Sequence, residues 1–148
     1  MEKYLTDQEK SYAKNLLKRI DFMSGLPDPD IDFLVGTLEK NAYKPNQTIV
    51  FQGEISSKLY VVCDGMVSII VRSGQDKKKV AELKTGDYFG EISLIEPTTA
   101  SATVKAEQPT IVCAITCENF KRILEKNSNA LEALKNKIAA RKEASKSK

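Results

Sequence analysis

Residues 89–104 read Phe89-Gly90-Glu91-Ile92-Ser93-Leu94-Ile95-Glu96-Pro97-Thr98-Thr99-Ala100-Ser101-Ala102-Thr103-Val104. A Gly-Glu pair opens an apolar turn, a Pro-Thr-Thr loop follows, and Ser-Ala-Thr-Val leads back into a strand. A short helix opening at Glu91 presents N–H groups that have no intrahelical partner, and its macrodipole favours an anion there. Gly90 has no Cβ, so the backbone there accepts a close neighbour. Thr98, Thr99 and Ser101 add hydroxyls. This is chemistry for holding a small polar ligand. The chain contains no histidine, which removes the commonest general base, the usual metal ligand and the histidine-based triads. With no nucleophile elbow and no metal-ligand cluster in the sequence, we expect no enzyme.

The stretch resembles the phosphate-binding cassette of cyclic-nucleotide-binding domains, the regulatory domains of cAMP- and cGMP-dependent kinases, channels and the bacterial catabolite activator. In that family Phe-Gly-Glu, a short helix and then Pro-Arg-x-Ala-Thr-Val hold a cyclic phosphate and its ribose. The spacing matches without a gap, but Ala100 stands where the family carries the arginine that pairs with the phosphate, and Thr99 where proline is usual. The resemblance implies ligand contacts at Phe89, Gly90, Glu91, Ile92, Ser93, Ala100, Ser101, Ala102 and Thr103. It assigns Glu91 to the ribose 2′-hydroxyl and Ser101 to the phosphate or to guanine. Plainer readings stand beside these: Glu91 as a first-turn acid, Ile92 with Leu94 and Ile95 as core, Ser101 as a solvated strand start. A charge-assisted Arg–phosphate contact contributes about 1.5–3 kcal/mol. At about 1.4 kcal/mol per tenfold, its loss takes a micromolar site to roughly tens of micromolar or weaker. No lysine or arginine lies between Lys84 and Lys105, so a substitute cation would have to come from another strand, with Arg72 one candidate.

The elements that must position this cassette are legible as periods. Thr6-Asp7-Gln8-Glu9 reads as a capping box, and Ala13, Leu16, Leu17 and Ile20 form a helical stripe after it. Gly25 to Pro29 breaks the helix. Asp28 with Pro29 suggests a cap and first turn, and Ile31, Leu34, Val35 and Leu38 make a second stripe. From Ala42 the period falls to two. Strand-like runs appear at 48–51, 59–63, 66–71, 80–83, 101–106 and 111–115, separated by turn residues. Asp64-Gly65 carries the signature of a type I′ hairpin. Helical spacing returns from Glu118 to Lys126 and from Ala130 to Arg141. The expected fold is α+β, mainly β: a jelly-roll-like β-roll of about eight strands with a short internal cassette helix at 91–96. The expected organisation is an N-terminal helical segment at 1–41, the roll at 42–116, closing helices at 117–141 and a basic disordered tail at 142–148. Family resemblance implies that the closing helices swing against the roll as the cassette fills, with Leu131, Leu134 and Ile138 as their apolar stripe.

Composition narrows the rest. The 148 residues suit one domain with a real core, and 23 Lys plus Arg against 20 Asp plus Glu leave a formal charge of +3. That modest excess gives no reason to expect nucleic acid. Cys63 and Cys113 lie in apolar runs and read as buried small hydrophobes, with no disulfide framework or zinc spacing among the three cysteines. No signal peptide and no run of about 20 apolar residues is present, so a cytoplasmic location without membrane insertion is expected. The sequence therefore suggests a non-catalytic regulatory module with no cofactor. It would bind cAMP, cGMP or a related ribose ligand weakly or with altered choice, and would act on an effector protein or domain. The alternative is a ligand-free relative that serves as an interaction module.

Overall fold

Thr6 starts the first helix, α1 (Asp7–Lys18), through the reciprocal pairing that its sequence suggests. Its hydroxyl accepts from the Glu9 N–H at 3.2 Å, and the Glu9 carboxylate accepts from the Thr6 N–H at 2.9 Å. These are facts of a computed structural model that describes residues 5–20, 23–90 and 98–146. Helix α2 (Asp28–Thr37) is capped by Pro27, one residue earlier than expected. The φ of −60° and ψ of 149° at Pro27 already set the extended lead-in. Asp28 is thereby freed to pair with Lys18 Nζ at 2.9 Å on the neighbouring helix.

Among the described residues ten strands follow: β1 (Glu39–Tyr43), β2 (Thr48–Val50), β3 (Ile55–Ser56), β4 (Lys58–Asp64), β5 (Met66–Ser73), β6 (Asp76–Lys84), β7 (Tyr88–Phe89), β8 (Thr98–Thr99), β9 (Thr103–Ala106) and β10 (Thr110–Thr116). Eight of them form two antiparallel four-stranded sheets, ordered β1-β10-β4-β7 and β2-β9-β5-β6, and β3 with β8 makes a two-residue ribbon. This is the mainly β roll with flanking helices that the periods suggest. Strand β1 begins at Glu39, before the change of period at Ala42. Its sequence, Glu-Lys-Asn-Ala-Tyr, carries no alternation, and its main chain is held by β10 along the edge of the sheet.

Asp64-Gly65 is not a hairpin. Strand β4 pairs with β10 and β7, while β5 pairs with β6 and β9, so the turn carries the chain from one sheet to the other. A type I′ turn needs positive φ at both positions. Only Gly65 has it, at 120°. A Cβ there would lie 2.5 Å from Thr110 Oγ1 and 2.9 Å from the Pro109 carbonyl oxygen. The tight corner forces the glycine, and local sequence does not distinguish that from a hairpin. The two-residue hairpin of this sheet is Gly74-Gln75, with Ser73 opposite Asp76 and Gly74 at φ 64°.

Strand β4 separates two apolar clusters by its alternation. Leu59, Val61 and Cys63 enter a large one with the helices, and Val62 enters a small one with Val50, Val67 and Val104. Both helical stripes of the N-terminal segment lie in the large cluster, and so does Phe120 of α3 (Cys117–Leu124). Helix α4 (Ser128–Lys146) adds Leu134 and Ile138 to it, with Leu131 partly buried against it. The helix runs five residues past Arg141, where a disordered tail is expected. Ala139 to Ala144 contains only strong helix formers, which carry it on. The cassette helix expected at 91–96 lies outside the described residues.

Candidate functional site

The cassette meets the roll on the small-cluster face of β4. Strand β7 pairs with β4 so that Phe89 sits opposite Tyr60, and their rings stack with centroids 4.9 Å apart and 12° between planes. Both rings pack on the cluster of Val50, Val62, Val67 and Val104. Burial pushes the Tyr60 phenol up, against a hydrogen bond with Ser56 that draws it down. An aromatic shelf over an aliphatic floor results, which suits the flat face of a base or a sugar better than a bare ion.

Gly90 follows with φ 88°. A Cβ there would lie 2.7 Å from the Lys58 carbonyl oxygen. The close approach that glycine permits is thus to the roll's own strand β4. Glu91, Ile92 and Ser93 lie outside the described residues.

On the return side, Ala100 packs on the small cluster. Its N–H donates to the Glu54 carbonyl at 2.8 Å and its carbonyl accepts from the Gly53 N–H at 2.9 Å. With β3–β8 pairing just before it, Ile55 opposite Thr99 and Ser56 opposite Thr98, this backbone is fixed from both sides. Ser101 is exposed in a bend and Ala102 is half-buried, so the strand starts at Thr103, two residues later than expected. Thr103 Oγ1 accepts from the Gln52 N–H at 2.9 Å. The structure therefore gathers Phe89 and Ala100 on one apolar wall, holds Thr103 at its rim, and leaves Ser101 facing outward.

Two residues of the site escape sequence reading. Gln52 closes its amide on the main chain of Arg72, with Nε2 donating to the carbonyl at 3.1 Å and Oε1 accepting from the N–H at 2.7 Å. It acts there as a short extra rung of the sheet, whereas in sequence it reads only as part of a turn. Tyr60 had a usable signal. The run Leu59-Tyr60-Val61-Val62-Cys63 is apolar at every position, and a strand apolar on both faces is covered on both faces. Arg72 is exposed. Strand alternation sets it on the face opposite Val67 and Ile69, which point at the small cluster. Ala100 packs on that cluster, so the two residues lie on opposite faces of the sheet. Among the described residues no group of three His, Cys, Asp or Glu is arranged to hold a metal ion.

The sequence model described as the cyclic nucleotide-binding domain matches residues 40–127, more than half of the chain. The chain belongs to this family. A cAMP-dependent protein kinase regulatory subunit of Schizosaccharomyces pombe is 28% identical over 134 residues, covering 90% of the chain but 31% of that relative's length. The chain thus spans about a third of a curated relative. The sensor domain of the transcriptional regulator DNR from Pseudomonas aeruginosa superposes with a TM-score of 0.80 at 19% identity, over 89% of each chain. A regulatory subunit of a cAMP-independent protein kinase A from Trypanosoma cruzi, bound to guanosine, superposes with a TM-score of 0.69 at 24% identity, over 80% of this domain and 42% of that chain. The β-roll of this domain is that of its family. No helix among the described residues is long and apolar enough to cross a membrane.

Proposed function

We propose that this cyclic nucleotide-binding domain is a non-catalytic regulatory module whose site prefers an uncharged ribose-bearing ligand. It takes a cyclic nucleotide only weakly. The observation that carries this reading is Ala100: its backbone is held to Gly53 and Glu54, its methyl group packs on the small apolar cluster, and Arg72 faces away. Ala100 occupies the family's arginine position in the cassette. A phosphate placed there finds no lysine or arginine between Lys84 and Lys105 to pair with. The base and sugar still meet the Tyr60–Phe89 shelf, with Glu91 assigned to the ribose hydroxyl, Ile92, Ser93, Ala102 and Thr103 assigned as further contacts, and the exposed Ser101 outside the apolar wall. The Trypanosoma cruzi regulatory subunit that superposes on this domain is bound to guanosine, which supports a nucleoside as the ligand to try first. Occupancy would be passed to an effector protein or domain through the closing helices.

Isothermal titration of the chain and of Ala100→Arg with cAMP, cGMP, adenosine and guanosine tests the proposal. The unmodified chain should bind a nucleoside at least as well as cAMP. Ala100→Arg should tighten cAMP at least about tenfold, or about 1.4 kcal/mol, and adding Glu91→Ala should weaken it again. Sub-micromolar cAMP binding by the unmodified chain overturns the reading. No binding of any of the four, with no gain from Ala100→Arg, favours the ligand-free interaction module.

A further inference from the structure

Cys63 and Cys113 stand 50 residues apart in sequence, yet their Sγ atoms lie 2.8 Å apart, buried in the large cluster. They are not direct cross-strand partners. Cys113 is opposite Val61, and the register of β4 against β10 shifts between Ile111 and Val112, so that Cys63 is the extra residue of a bulge. Diagonal neighbours in a regular antiparallel pair have Cα atoms about 7–8 Å apart, beyond the usual disulfide range of about 4.4–6.8 Å. The bulge re-aims Cys63 and closes that gap. The approach is far inside ordinary non-bonded contact and less than about 1 Å from the covalent S–S length of about 2.05 Å.

The same corner is otherwise over-determined. The Tyr12 hydroxyl of α1 donates to the Cys63 carbonyl at 2.9 Å. Two residues on, Gly65 closes against Thr110, whose hydroxyl donates to the Met66 carbonyl at 3.1 Å and accepts from its N–H at 3.3 Å. Both backbones at the cysteines are therefore held in place whatever the state of the sulfurs. We propose that Cys63 and Cys113 form a redox-active dithiol that closes reversibly into an intrachain disulfide with the roll intact. The third cysteine, Cys117, begins α3.

A hydroperoxide is the oxidant class. Cys63, 7% exposed against 0% for Cys113, is the sulfur it reaches first. The hydrogen bond between the thiols lowers the pKa of Cys63 and raises that of Cys113, which gives Cys63 the greater thiolate character. The Cys63 thiolate attacks one peroxide oxygen, the O–O bond breaks, and the other oxygen leaves as alcohol or water after taking a proton. Cys63 is left as a sulfenic acid. The Cys113 sulfur then attacks Cys63 sulfur, and the S–O bond breaks with release of water. Two thiols lose two electrons in all, and the hydroperoxide accepts them.

The test is treatment of the intact chain with hydrogen peroxide, followed by mass spectrometry and peptide mapping without reductant. The expected product is a monomer lighter by two hydrogens with residues 63 and 113 cross-linked, restored by dithiothreitol, and with a thermal midpoint no lower than that of the reduced form. Cys117→Ser should behave identically. Cys113→Ser should accumulate a sulfenic acid at Cys63 that dimedone traps. Any of three results overturns the proposal: a folded, peroxide-treated chain without the cross-link, a cross-link to Cys117 or between chains instead, or a cross-linked product that has lost its strand structure.

Discussion

The two apolar clusters on either side of β4 differ in how they are closed. Among the described residues, the helix side gathers 21 buried ones from α1, α2, α3, α4, β4, β10 and the segments flanking the first two helices, and is shut by the protein itself. The cassette side has four buried valines, ringed by Ile49, Tyr60, Ile69, Leu83, Phe89 and Ala100, which are only partly buried. Burial of a side chain such as leucine or phenylalanine contributes about 1.5–3 kcal/mol, so the stability of the domain resides on the helix side.

Mutation can break that contrast or sharpen it. The largest effect should come from Phe120→Ala, which empties a fully buried position on the helix side and should cost about 3–5 kcal/mol in urea unfolding. Gly65→Ala strikes the corner between the sheets, with strain at φ 120° and a Cβ 2.5 Å from Thr110 Oγ1. It should cost about 2–3 kcal/mol by the same measurement. Val62→Ala, on the cassette side, removes two methyl groups from a buried position and should cost about 2 kcal/mol or less. If Val62→Ala costs as much as Phe120→Ala, the two sides share stability evenly and the contrast fails.

The smallest effect concerns acid. Hydrogen bonds from Lys40 hold the Glu9 carboxyl below its usual range, and Lys18 does the same for Asp28. A depressed folded-state pKa means that the contribution is present above the unfolded value and lost as pH falls through the folded one. Stability should therefore decline on acidification through the carboxylate range, with a shallower decline in Glu9→Gln. Thermal midpoints measured between neutral and acid pH check this. Both carboxylates act on the helix side, so binding at the cassette should titrate independently of them.

Much of the helix side was legible because its cause is periodic. Ala13, Leu16, Leu17 and Ile20, and then Ile31, Leu34, Val35 and Leu38, are all buried as their spacing requires. The cassette side was legible only as a motif. Its supporting parts are non-local: Gln52 grips Arg72 across 20 residues, and β7 and β8 are two-residue strands that exist through their partners. The Asp64-Gly65 corner misled because a glycine forced by a neighbouring strand looks the same in sequence as one required by a hairpin. The approach of Cys63 to Cys113 depends on a bulge, which no spacing rule for cysteines anticipates.

Strand β4 is a party wall. Val61 and Val62 are neighbours on one backbone, buried at 1% and 0% on opposite sides of it. Their methyl groups form a matched pair of reporters mounted on a single beam. A disturbance that reaches Val62 through the Tyr60–Phe89 shelf registers at Val61 only after crossing the wall, to the side where α3 and α4 are anchored.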